Sequence, residues 1–260
     1  MGDRNFDDLA HRFENNIQTS SKGEIRRAVI QRDFDEVLWA DAELKQPLRV
    51  LDAGGGQGQM AVYLAECGCE VVLCDVSVEM LKRAQTNIET KGLADKVELY
   101  HGSIQQYLRE NSTTFDLVIC HALLEWVEDA QVILQALTDV VKAGGYLSLL
   151  YYNLHGLVFK NLLRTNFKKI ESQQWQGSRR SLTPTYPLTP EEVNRWLGAL
   201  PLKIKCESGV RVFNDFVFSR ENREREPDKL LRYELEYSRL DPYKQMARYI
   251  HLLACKSHPE

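Results

Sequence analysis

The run Val50-Leu51-Asp52-Ala53-Gly54-Gly55-Gly56-Gln57-Gly58 decides the fold. An apolar strand ends on an acid, crosses a turn in which four of five residues are glycine, and enters a helix at Gln59. Glycine accepts positive φ and has no Cβ to hold ligand atoms away from the backbone amides. A turn this rich in glycine therefore predicts a bound ligand rather than a bare strand–helix connection.

On either side of this run, short apolar strands alternate with amphipathic helices from Leu48 to Tyr152, the pattern of a mostly parallel sheet covered on both faces. Strands are expected at Leu48–Ala53, Glu70–Cys74, Val97–Tyr100, Phe115–Cys120 and Tyr146–Tyr151, with Gly144-Gly145 turning the chain into the fifth. Helices are expected at Gln59–Glu66, Val78–Thr90, Ile104–Arg109 and Asp129–Val141. Ser77 is placed to cap the second of these, and Lys91-Gly92 to end it. Before this core, residues 1–47 read as a helical preface interrupted by a loop at Gln18–Gly23. After it, residues 153–188 form a basic insertion. Lys160, Arg164, Lys168, Lys169, Arg179 and Arg180 face only Glu171 there, a local net charge of +5 within a chain of net charge −4.

Residues 189–260 then complete the sheet. Thr189-Pro190-Glu191-Glu192 is a helix start, with an N-cap, a proline in the first turn and acids at the positive end of the dipole. The helix runs over Glu191–Leu200, followed by strand segments Leu202–Cys206 and Gly209–Phe213, a charged helix near Asp228–Leu240, and a last strand at Tyr249–Cys255. The expected architecture is a Rossmann-like α/β fold with a seven-stranded, mostly parallel sheet, organised as one domain over residues 1–260.

Composition narrows the function. A hydrophobic fraction of 43% and a charged fraction of 27% describe a globular chain, and a net charge of −4 argues against a global positive field for nucleic acid. The six cysteines lack paired zinc-ribbon spacing, so no metal site is expected and the thiols read as reduced. The N-terminus carries no apolar export core and no run of about 18 apolar residues occurs, so a cytoplasmic protein without a membrane anchor is expected.

Asp75 ends the second strand, 21 residues after Gly54, where a carboxylate accepts hydrogen bonds from a ribose diol. That pairing alone also suits a nicotinamide dehydrogenase. Asp52 separates the two, because an acid before the glycines favours the α-ammonium of a methionine moiety and repels a pyrophosphate.

From Leu48 to Tyr152 the chain resembles the class I S-adenosylmethionine-dependent methyltransferases, through Asp52–Gly58, Asp75, Phe115–Cys120 and Lys142-Ala143-Gly144-Gly145. The resemblance implies that Gly54 and Gly55 pass beside the methionine part, that Asp75 holds the ribose, that Ser103, Ile104 and Gln105 contact adenine, and that His121 faces the pocket.

A narrower resemblance runs through Arg4–Asp8, Lys22-Gly23 with Arg26, His121–Val127, Tyr152–Gly156, Gly209–Phe213 and Arg248–His251. These stretches are similar to the family of tRNA 5-carboxymethoxyuridine methyltransferases. The family implies esterification of a carboxylate on the wobble uridine, in the anticodon region of tRNA, with Arg26 over the cofactor. Such a carboxylate is already a nucleophile, so no general base is required and no catalytic residue is assigned. Arg211 is a candidate receiver of carboxylate or phosphate, and Trp126, Tyr151 and Tyr152 are candidates to stack a splayed base. Lys168, Lys169, Arg179 and Arg180 are candidates to hold backbone phosphates. Each has a plainer alternative: a surface ion pair for Arg211, core packing for the aromatics, a solvated face for the basic run. A methyltransferase for a small carboxylate and a noncatalytic S-adenosylmethionine-binding module both remain open on the residues themselves.

Overall fold

The computed structural model describes residues 20–175 and 183–258. Its first helix, α1 (Ser21–Asp33), continues into a wider π turn at Phe34–Leu38. Ser21, Lys22 and Gly23 are helical, so the expected loop is shorter than Gln18–Gly23 at this end.

The core then alternates as expected: β1 (Arg49–Ala53), α2 (Gln59–Glu66), β2 (Glu70–Asp75), α3 (Val78–Thr90), β3 (Val97–His101), α4 (Ile104–Glu110), β4 (Phe115–His121), α5 (Ala130–Asp139) and β5 (Val141–Tyr152). Ser77 caps α3 by accepting from the Met80 amide at 3.1 Å. α5 is shorter than expected because the chain has already entered β5 at Val141.

Gly144-Gly145 therefore does not precede the fifth strand but lies inside it. Phe115 pairs with Val141 while Leu117 pairs with Tyr146, and this bulge absorbs the extra residues of β5. Gly144 takes φ +76°, and a Cβ on Gly145 would meet the Asp116 carbonyl at 2.8 Å. The glycines allow a strand to kink rather than a loop to turn.

Two helices that the sequence pattern does not mark follow, α6 (Leu154–Leu163) and α7 (Phe167–Ser172). Next come α8 (Pro190–Gly198), with Thr189 and Glu192 closing a reciprocal capping box, and β6 (Leu202–Val210). β6 is one strand with a register shift between Ile204 and Cys206, not two pieces, and Val212-Phe213 falls outside it. α9 (Arg220–Glu224), α10 (Pro227–Tyr237), α11 (Tyr243–Met246) and β7 (Tyr249–Lys256) complete the described chain.

The sheet order is β3-β2-β1-β4-β5-β7-β6, with β7 antiparallel to both neighbours and the rest of the core parallel. Strand alternation divides the buried side chains. Leu51, Val118, Leu149 and Tyr151 pack on one face. Val50, Ile119 and Leu150 pack on the other, beneath Ile25, Val29 and Phe34 of the preface. The order reverses direction between β1 and β4. In open α/β sheets such a point, beyond the carboxyl ends of the strands, is where ligands bind.

Candidate active site

The glycine turn is built against β2. Gly54 and Gly55 donate to the Cys74 carbonyl at 2.8 and 3.3 Å. Gly54 and Gly58 take φ +71° and +74°, a region that side chains make costly. A Cβ on Gly55 would approach Asp52 Oδ2 to 2.6 Å and Leu73 Cγ to 2.7 Å. Asp75 spans the same corner: Oδ2 accepts from Gly56 N at 2.9 Å and Oδ1 from Ser77 N at 2.8 Å. A carboxylate has about four acceptor positions, so this bracing is compatible with further donors. Ser103 caps α4 by accepting from the Gln106 amide at 3.1 Å, which sets Ile104 and Gln105 in the first turn beside β3.

Asp52 is buried, and its Oδ2 has no protein partner. Burial, reinforced by Asp75, pushes its carboxyl up to about 7 against the pull of Arg26. Glu125 lies in a 3₁₀ turn (Leu124–Trp126) after β4 and repeats the pattern: buried, Oε2 unpartnered, pushed up to about 7 by burial and held back by Arg26. Arg26 of α1 is thus shared by two buried carboxyls, and its own pKa is lowered chiefly by desolvation. The orphaned oxygen of Asp52 beside this turn fits a cation-bearing ligand, and Gly55 is required there because Asp52 and Leu73 leave no room for a Cβ.

His121 ends β4 on the same face as Asp52. Its Nε2 meets Ser148 Oγ at 2.8 Å, Ser148 Oγ meets His251 Nε2 at 2.9 Å, and His251 Nδ1 meets Asp33 Oδ2 at 2.7 Å. Burial and the field of His251 hold His121 well below its ordinary pKa, so it is neutral, and its Nδ1 is buried without a protein partner.

Beyond Arg26 lies a cluster of cations. Asp215 is paired with Arg211 Nε at 3.1 Å and Lys160 Nζ at 3.3 Å, and the fields of Arg248 and Lys22 reach it as well. Burial opposes its ionisation, but these four cations hold its carboxyl far below the ordinary range. The guanidinium of Arg248 lies 4.4 Å from the Tyr152 ring centroid, and that of Arg211 lies 5.1 Å from Tyr249. The two tyrosines meet edge to face at 5.1 Å. Four positive groups around one negative group leave a receptor for an anion.

Several expected site residues fall elsewhere. Tyr151 alternates away from Tyr152 into the opposite core face, fully enclosed with Val118 and Leu149, so it does not line the site. Trp126 is buried in the turn that carries Glu125. On α7, Lys168 is exposed and Lys169 is half-buried within the field of Arg248. Arg179 and Arg180 lie outside the described residues, as does Arg4–Asp8. Glu125, Asp215, Arg248 and Tyr249 join the site without an individual mark in the sequence. Their only signal is membership of the family-like stretches or closeness to Arg211. Among the described residues, no cluster of His, Cys, Asp and Glu could hold a metal, and no helix is long and apolar enough to cross a membrane.

Residues 51–149 match the family model described as a methyltransferase domain. The chain is similar to magnesium protoporphyrin IX methyltransferase from Synechocystis PCC 6803, whose structure carries SAH, with a TM-score of 0.60, 21% identity and coverage of 97% and 96% of the two chains. It is 33% identical to ubiquinone biosynthesis O-methyltransferase of Aliivibrio fischeri over 43% of its own length and 47% of that protein. The fold, the glycine turn and the matched domain define a methyltransferase. Similarity to tRNA 5-carboxymethoxyuridine methyltransferase of Escherichia coli K12 extends much further, at 42% identity over 257 residues, 98% of this chain and 97% of that one. The chain belongs to the tRNA 5-carboxymethoxyuridine methyltransferase family.

Proposed function

We propose that this protein uses S-adenosylmethionine to methylate the carboxylate of 5-carboxymethoxyuridine at the tRNA wobble position, giving the methyl ester. The observation that carries this reading is the adjacency of two complementary sites. Asp52 and Glu125 offer unpartnered acid oxygens, and Arg211, Lys160, Arg248 and Lys22 surround Asp215 on the other side of Arg26.

When bound, S-adenosylmethionine supplies an electrophilic methyl group on a sulfonium. Asp52 would receive the α-ammonium, Asp75 the ribose, and Ser103, Ile104 and Gln105 would border the adenine. Arg26, whose charge bears on both Asp52 and Glu125, would close the methionine end. The cationic cluster would receive the acidic acceptor and orient one carboxylate oxygen as the nucleophile for the methyl group that the cofactor supplies. No proton changes hands, and none of the buried acids need act as a base. Tyr249 supplies a ring for a splayed base, braced edge to face by the buried Tyr152. Lys168 and Lys169 extend the positive surface along α7 toward anticodon-stem phosphates, with Arg179 and Arg180 assigned the same role. His121 supports the floor of the cofactor pocket. The whole chain, 1–260, acts as one domain, and the cytoplasm, where tRNA is found, is the proposed location.

Mass spectrometry of wobble nucleosides from cells lacking this protein tests the reading. Unmethylated 5-carboxymethoxyuridine should accumulate, and persistence of the methyl ester would reject the assignment. Labelled cofactor incubated with fractionated extract provides the complement: label in small molecules instead of tRNA would support a metabolite acceptor.

A further inference from the structure

Arg211 stands at φ +63°, a left-handed conformation rarely adopted by a residue with a long side chain and one that costs on the order of 1–3 kcal/mol unless its surroundings enforce it. The enforcement comes from Glu234. This residue sits on α10, 0% exposed, and its carboxylate accepts three consecutive backbone amides: Val212 N at 2.7 Å on Oε2, Phe213 N at 3.2 Å and Asn214 N at 2.6 Å on Oε1.

Three successive N–H groups converging on one point make an anion-binding concavity. Here the protein fills it from within. A substrate anion is thereby denied the backbone and directed to the side chains of Arg211, Lys160 and Arg248. The same three bonds fix the loop at both ends of the ion pair, since Arg211 precedes the clamped amides and Asp215 follows them. The Arg211 carbonyl, in turn, accepts from Arg248 N at 3.2 Å, which ties the second cation of the receptor to the same loop.

We propose that Glu234 is a positioning residue for substrate, holding the Arg211–Asp215 loop so that Arg211 and Arg248 present their guanidinium groups against Tyr249 and Tyr152. The assignment rests on the methyl-acceptor reading above. Glu234 touches neither cofactor nor acceptor; it acts through the loop.

Glu234→Gln tests it, because an amide nitrogen cannot accept the N–H groups that the carboxylate oxygens take. With purified full-length protein and tRNA bearing 5-carboxymethoxyuridine, the variant should raise KM for tRNA roughly tenfold or more while kcat changes less than about threefold. Affinity for S-adenosylmethionine, read by calorimetry, should stay within about twofold. A merely structural role would instead lower thermal stability and cofactor affinity together, and that outcome, or an unchanged KM for tRNA, would overturn the proposal. Should Glu234→Gln not fold, Glu234→Asp, which retracts the carboxylate by one methylene, takes its place with the same criteria. Failure of the wild-type protein to methylate this tRNA would overturn the acceptor reading and the positioning role together. Wild-type transfer with an unaffected variant overturns the positioning role alone.

Discussion

Asp33 and His251, 218 positions apart in the chain, join at 2.7 Å with neither side chain exposed to solvent. Arg239 pairs with the same carboxylate at 2.6 Å, and Ser208 donates to it at 2.9 Å. One acid therefore fastens the preface helix to β6, β7 and the end of α10.

Asp33→Asn should cost about 3–5 kcal/mol in urea unfolding at pH 7, because it leaves buried partners uncompensated. The folded-state pKa of Asp33 is lowered by its hydrogen bond to His251 and by the nearby arginines, against the opposing effect of burial. A depressed acid stabilises above its unfolded value of about 3.9 and loses that contribution as pH falls further. Wild-type stability should thus drop steeply below pH ~4, and the variant should show a shallower slope over the same range. Equal slopes would remove Asp33 as the source.

Asp52 titrates in the opposite sense. Its folded value is raised to about 7, so between the unfolded value of about 3.9 and about 7 its burial erodes stability as pH rises. Asp52→Asn is expected to be at least as stable as wild type at pH 8 by thermal unfolding, yet to bind S-adenosylmethionine roughly tenfold or more weakly. Wild-type affinity should strengthen from pH 6 to 7.5 as the carboxyl ionises, and that trend should flatten in the variant. Undiminished cofactor affinity in Asp52→Asn would exclude the ammonium pairing.

Gly55→Ala places a methyl group 2.6 Å from Asp52 Oδ2 and 2.7 Å from Leu73 Cγ. Equilibrium dialysis should find cofactor binding abolished while circular dichroism shows a folded chain. Full binding in this variant would mean that the turn relaxes more readily than its packing implies.

Charge reversal at Lys168 and Lys169 should weaken tRNA binding and make its logarithmic salt dependence shallower by about 1–2, since each phosphate that no lysine neutralises keeps its counterion. Filter binding across salt concentrations reads both effects. The cofactor site should be untouched, and an unaltered slope would take α7 off the RNA surface.

The parts of this fold written in local chemistry are legible in the sequence. The β1 turn, the Ser77 cap and the Thr189 N-cap each depend on residues within a few positions of one another. Gly144-Gly145 reads as a turn yet forms a bulge because both use the same freedom of backbone, and only the partner strand decides between them. Glu234 is invisible for a related reason. A glutamate on a charge-rich helix looks solvated until the tertiary fold brings it to the amides of Val212, Phe213 and Asn214. Tyr151 and Tyr152 are adjacent in sequence, and strand alternation buries them on opposite faces, only Tyr152 lying against Arg248 and Tyr249. Asp52 stands beside the glycines that mark it, but Glu125, its counterpart around Arg26, is embedded in an apolar stretch with no spacing to reveal it.

The placement of β7 between β5 and β6 bears on how the protein comes into being on the ribosome. The glycine turn, Asp52 and Asp75 can be assembled from the first half of the chain, whereas Tyr249, Arg248 and His251 emerge after everything else that surrounds them. Until then β5 has a bare, strongly apolar edge of the kind that invites aggregation. A nascent chain halted before Arg248 would carry the donor half of the site and Arg211, Lys160 and Asp215 of the acceptor half, but lack Arg248 and Tyr249. Premature termination should therefore yield insoluble protein rather than an enzyme able to spend S-adenosylmethionine on the wrong carboxylate.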